Sequence, residues 1–162
     1  LEVILGREIF DAARLAIDIE GHSSAVVTRA HEPRGVRLEL ITEHGVETVP
    51  VSVSGSAPVR ATFDLGNGSQ LLISLALAEK LKLLAAGNAA RTERGGGLGG
   101  ETLRQLVTLD YLELAGRRFT GIEAAVDPQP SASDLNVGVS VLRHFRINTD
   151  YAQHAVWLDP RD

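Results

Sequence analysis

The chain has 162 residues and a net charge of −5, and its apolar 44% is aliphatic far more than aromatic, enough for one domain with a Val/Leu/Ile/Ala core. It contains no cysteine, which excludes disulfides, thiol catalysis and thiolate metal sites. The acidic balance and the lack of a Lys/Arg cluster argue against nucleic acid as a partner, and no apolar run reaches membrane-spanning length.

Residues 1–28 read as a short helix from about Arg7, followed by two strands around a turn at Glu20 to Ser23. Residues 29–35, with Pro33 and Gly35, form a connector. Val36 to Ile41 alternates like a strand, Glu43-His44-Gly45 turns, and Val46 to Val53 runs back; residues 29–47 therefore read as connector and hairpin. Val59 to Phe63 is a β-branched run that delivers Asp64 onto a turn built from Gly66, Asn67 and Gly68, and Leu71-Leu72-Ile73 leaves it. Leu75 to Leu84 has helical spacing, with Leu77, Leu81 and Leu84 on one face.

Residues 85–100 are rich in Ala and Gly and read as a mobile segment. A phosphate loop is excluded there, because no strand enters the Gly95 to Gly100 run and no Lys-Ser/Thr follows it. Leu103 to Leu114 and Phe119 to Val126 form a hairpin around Ala115-Gly116-Arg117. A Pro/Ser loop from Asp127 to Ser133 leads to Leu135-Asn136-Val137-Gly138, a short helix over 139–145, and strands over 146–151 and 155–158.

The two ends of the chain repeat. A shift of 132 residues places Gly6 on Gly138, Arg14 on Arg146, Asp18 on Asp150 and His22 on His154, and apolar positions such as Ile9 and Val141 coincide. Residues 1–28 are therefore expected to be the tail of a preceding lobe and residues 48–162 a complete one. A chain without methionine that opens on Leu1 carries the same expectation of further sequence upstream.

The order of these pieces resembles the retropepsin-like aspartic proteases. The matching motifs are Phe63-Asp64-Leu65-Gly66, Leu72-Ile73-Ser74, the helix from Leu75, the Gly95 to Gly100 stretch, the hairpin, Val137-Gly138 and Thr149-Asp150-Tyr151. The resemblance implies an all-β fold: a closed β-barrel lobe with two or three short helices. It also implies that two lobes each contribute one Asp to a pair that shares a proton and activates water against a peptide bond. By position Asp64 is the catalytic acid. Gly66 beside it, with Gly97, Leu98 and Gly99 in a glycine-rich flap, is then expected to contact a peptide or protein substrate whose backbone pairs with strand edges.

The partner is a second lobe, from a homodimer or from sequence upstream; the upstream lobe is favoured because residues 1–28 read as its tail. No cofactor or metal is implied. A periplasmic or secreted setting follows from the family resemblance alone. Leu65 stands where the family carries the Thr or Ser that ties the two lobes together beneath the acids, and this supports an alternative, an inactive module that binds peptides without turnover. Asp150 is read as structural beside Arg146, and Glu43, Glu47 and Glu101 as solvated. The five histidines lack metal-ligand spacing, and Ser69 and Ser74 lack the His-Asp partners of a serine hydrolase.

Overall fold

Strands dominate the computed structural model, which describes residues 6–54, 56–68, 71–85, 91–97, 100–129 and 133–161. In chain order these residues form α1 (Arg7–Ala12), β1 (Arg14–Asp18), β2 (Ser23–Val27), β3 (Val36–Glu39), β4 (Ile41–Glu43), β5 (Val46–Val53), β6 (Val59–Phe63) and β7 (Leu71–Ser74). After these come α2 (Leu75–Lys80), β8 (Arg91–Gly97), β9 (Gly100–Leu114), β10 (Arg117–Asp127), β11 (Leu135–Val137), α3 (Val139–Leu142), β12 (Phe145–Asp150), a 3₁₀ turn (Tyr151–Gln153) and β13 (Ala155–Pro160). The expectation of an all-β fold with two or three short helices holds, with three among the described residues.

Eight strands form one sheet in the order β4-β5-β6-β11-β7-β10-β9-β8, and β5 also pairs with β9. That extra pairing, Ser52 with Glu113 and Val53 with Leu112, closes β5, β6, β11, β7, β10 and β9 into a ring. Closure removes the two edges these strands would otherwise expose. Inside it, alternate residues of β5 (Val49, Val51, Val53) and of β6 (Ala61, Phe63) meet Leu109, Leu112 and Leu114 of β9 in an aliphatic core.

Several local readings change. The alternating run over 36–41 divides at the buried Leu40, whose N–H donates to the His154 carbonyl at 2.9 Å, so β3 joins one sheet and β4 the other. Helix α2 stops at Lys80, not at 84. Ser74 caps its start by accepting from the Leu77 N–H at 3.1 Å. It ends where Lys82 turns left-handed (φ 58°) and the Leu83 N–H reaches back to the Ala78 carbonyl at 2.9 Å. The glycine-rich stretch is ordered over 91–97 as β8, in register with β9 from Arg91↔Leu106 to Gly97↔Gly100. A ladder needs only backbone groups, which glycine supplies as any residue does. The β9–β10 hairpin turns on Ala115 and Gly116 alone, both at positive φ (50° and 76°), and Arg117 already belongs to the strand.

The remaining sheet, β2-β1-β12-β13-β3, contains the repeat. Strands β1 and β12 run antiparallel with Ala16 opposite Asn148, the two residues that the 132-residue shift superposes. Hairpin β1–β2 pairs Arg14 with Val27, and β12–β13 pairs Arg146 with Asp159, which is the same register. Both hairpin turns place a histidine in the left-handed region, His22 (φ 50°) and His154 (φ 49°). The two N–H groups donate to Ile19 and Tyr151 carbonyls at 3.2 and 3.0 Å. Helices α1 and α3 each follow an extended glycine, Gly6 or Gly138. A local two-fold axis therefore passes between Ala16 and Asn148, within one chain.

Charges obey the same axis. Asp150 is fully buried and paired with Arg14 at 3.2 Å and Arg29 at 2.7 Å. Asp18, its counterpart, is paired with Arg161, and Arg161 is Arg29 shifted by 132 residues. Asp150 is structural, as expected, but its partners are Arg14 and Arg29 and not Arg146. The Arg29 guanidinium first, and Arg14 after it, hold the Asp150 carboxyl below the usual carboxylate range against the opposing effect of burial.

Candidate active site

Asp64 leaves the barrel at the end of β6, after the buried Phe63 has fixed the strand to the core. Strand β11 inserts between β6 and β7, parallel to the first and antiparallel to the second, and its Val137 carbonyl accepts the Asp64 N–H at 3.1 Å. The side chain then closes a turn on itself. Oδ1 accepts the N–H groups of Gly66 at 2.9 Å and Asn67 at 3.1 Å. Short acids stabilise glycine turns in this way.

The other oxygen is held from β11. Asn136 donates Nδ2 to Asp64 Oδ2 at 2.7 Å, and its Oδ1 accepts Asn67 Nδ2 at 2.9 Å. Asp64, Asn67 and Asn136 thus form a closed ring of hydrogen bonds 72 residues apart in sequence at its widest. The start of α3 supports the ring from beneath, because the Val139 N–H donates to the Asn67 carbonyl at 2.9 Å. Gly138 makes this approach possible. A Cβ there would lie 2.6 Å from the Asn67 carbonyl oxygen and 2.8 Å from its amide. Backbone cannot yield as a flexible side chain can, so Gly138→Ala is expected to destabilise the protein by about 1–3 kcal/mol, read as a lowered urea midpoint; an unchanged midpoint contradicts the contact.

Two clefts flank Asp64. The larger, about 420 Å³, runs from Asp64, Leu65 and Gly66 across to Gly6, Arg7 and Phe10 of the first repeat, with Glu47 and Tyr151 in its wall. The smaller, about 200 Å³, is bounded by Thr62, Leu72, Ser74, Asp127 and Asn136. Glu47 is not solvated, as its sequence context suggested, but buried. Oε1 pairs with Arg7 at 2.7 Å and accepts Thr42 Oγ1 at 2.8 Å, while the buried Oε2 meets no donor among the described residues. Tyr151 stacks on Phe10 with ring centroids 5.1 Å apart. Burial, with Glu47 close by, pushes its phenol up to about 12, so it stays protonated at any working pH. Leu65 packs against the barrel core. No group of three or more His, Asp or Glu among the described residues could hold a metal ion.

Of the residues expected at the site, Asp64 and Gly66 share one turn. Gly97 ends the described part of β8, opposite Gly100. Leu98 and Gly99 lie outside the described residues. Asn136 and Glu47 were not anticipated. Nothing near them in sequence marks them, because their partners Asp64 and Arg7 come from distant segments.

The family model described as aspartyl protease matches residues 49–141, more than half of the chain. The structure is similar to a crystal structure of a retropepsin-like aspartic protease from Rickettsia conorii, with a TM-score of 0.56 and 18% identity over 76% of this chain and 88% of that one. The fold is therefore retropepsin-like. No curated protein matches the sequence.

Proposed function

Because the chain belongs to the aspartyl protease family, we propose that it is the acid-bearing lobe of an aspartic peptidase in which Asp64 and an Asp of a second lobe activate water against a peptide bond. One acid takes a proton from water as the oxygen attacks the carbonyl carbon, and the other gives its proton to the carbonyl oxygen. Collapse of that adduct breaks the C–N bond and protonates the leaving amine. The Asp64 turn would face the substrate with Gly66 at its side, and the β8–β9 hairpin, with Gly97 at the end of β8, would close over an extended peptide.

The observation that carries this reading is the local two-fold axis. It relates α1 to α3, so in this reading Gly6 and Arg7 would occupy the position relative to a preceding lobe that Gly138 and Val139 occupy here. Gly138 and Val139 support the Asn67 end of the Asp64 turn. The equivalent turn of a second lobe would then rest on Gly6, in the large cleft beside Asp64. Two carboxylates meeting there would share a proton. Both copies of the interface hairpin already lie in this chain, which supports a lobe encoded upstream over a homodimer.

The second reading, a binding module without turnover, draws on Leu65, a half-buried side chain that packs against the core where a hydroxyl would tie the lobes together. Peptide cleavage by the full-length protein separates the two. The peptidase reading expects a bell-shaped dependence of kcat/KM on pH with an acidic optimum, as two coupled carboxyls titrate. Peptide binding with no cleavage between about pH 3 and 7, the range of ordinary and upward-shifted carboxyl titration, supports the module instead.

A further inference from the structure

We propose that Asn136 is a positioning residue that makes Asp64 the proton-accepting member of the acid pair, an inference that rests on the peptidase reading above. A symmetric pair leaves open which carboxyl holds the shared proton. Here the two environments differ. Asp64 faces three N–H donors, from Gly66 and Asn67 on Oδ1 and from Asn136 on Oδ2. The Asn136 amide nitrogen faces Asp64 while its oxygen accepts Asn67 Nδ2 at 2.9 Å. Donors that point at a carboxyl favour its charged form.

The repeat supplies the contrast. The 132-residue shift aligns Asn136 with Ile4, an aliphatic residue that donates nothing. A second acid with an aliphatic residue at the position aligned with Asn136 would lack the side-chain donor that Asp64 has, and would keep the proton that is given to the scissile carbonyl. Asp64 would take the proton from water.

The other charged groups facing Asp64 do not reverse this assignment. In the larger cleft Arg7 and Glu47 are paired with each other at 2.7 Å, and the Tyr151 phenol is neutral. In the smaller cleft the other acid of the lining, Asp127, is paired with Arg104 at 3.4 Å.

The test compares the full-length wild-type protein with Asn136→Ile, the residue found in the other repeat. The pH profile of kcat/KM is measured for both, with secondary structure and peptide affinity alongside. Loss of the Asn136 donor should move the acidic limb of the profile toward neutral pH by about one pH unit while affinity stays unchanged. Asn136→Ser, shorter and still polar, serves as the second variant if the isoleucine does not fold. An acidic limb that is the same in wild type and folded variant, in a wild-type protein that cleaves peptide, overturns the inference alone. A wild-type protein that cleaves no peptide overturns the peptidase reading and this inference with it.

Discussion

Replacing Asp150 by alanine should destabilise the protein by about 3–5 kcal/mol, a large part of the stability of a domain this size. The mechanism is the charge left behind. Arg14 is only 3% exposed, and its guanidinium lies 4.8 Å from the Trp157 ring centroid. Its other donors go to the His31 carbonyl at 2.8 Å and Gln153 Oε1 at 2.9 Å, both neutral. Without the carboxylate, the charge on Arg14 stays buried with no anion near it. Asp18→Ala is the internal control, since the repeat places Asp18 in the same register with Arg161 as partner. Its side chain is 31% exposed, so water can take over the solvation of the partner, and the loss should be much smaller.

The sign with pH follows from the direction of the shift. Asp150 is held below its ordinary 3.8 in the folded state, so its contribution is fully present above that value and is lost as pH falls through the lower folded value. Urea denaturation at neutral and strongly acidic pH checks both statements. Asp150→Ala should lie far below wild type at neutral pH and approach it in acid. Equal losses for Asp150→Ala and Asp18→Ala would mean that burial does not set the worth of these pairs.

Local chemistry carried much of the fold. The Ala115-Gly116 turn, the alternation of β5 and the short apolar runs around Asp64 are decided within a few residues, and all were legible. The repeat was legible as well, because identical residues 132 positions apart need no knowledge of contacts. What stayed hidden depends on distant partners. Glu47 reads as a solvated acid in an alternating strand, and only the arrival of Arg7 from 40 residues away makes its burial tolerable. Arg29 sits in a polar connector, and its pairing with Asp150 requires the two repeats to meet. Asn136 looks like one residue of a short β-strand until β11 is seen to insert beside β6. The division of residues 36–41 between two sheets likewise depends on β13, which arrives more than a hundred residues later.

The second large effect concerns catalysis. Asp64 is the residue that the strand, the glycine turn and both clefts have in common. If it accepts the proton of the attacking water, an amide in its place cannot, and Asp64→Asn should lower kcat by between about a hundredfold and ten-thousandfold, the range of a lost general base. The substitution keeps the side chain's shape and one oxygen to accept from Gly66 and Asn67. It places an NH₂ against Asn136 Nδ2, however, so two donors would meet where a bond existed. Folding must therefore be verified beside the rate. The most direct measurement is peptide cleavage at the acidic optimum by full-length wild-type protein and by Asp64→Asn of equal secondary structure and peptide affinity. The account predicts cleavage by the first and a loss of at least about a hundredfold in the second; cleavage by Asp64→Asn at the wild-type rate would contradict it.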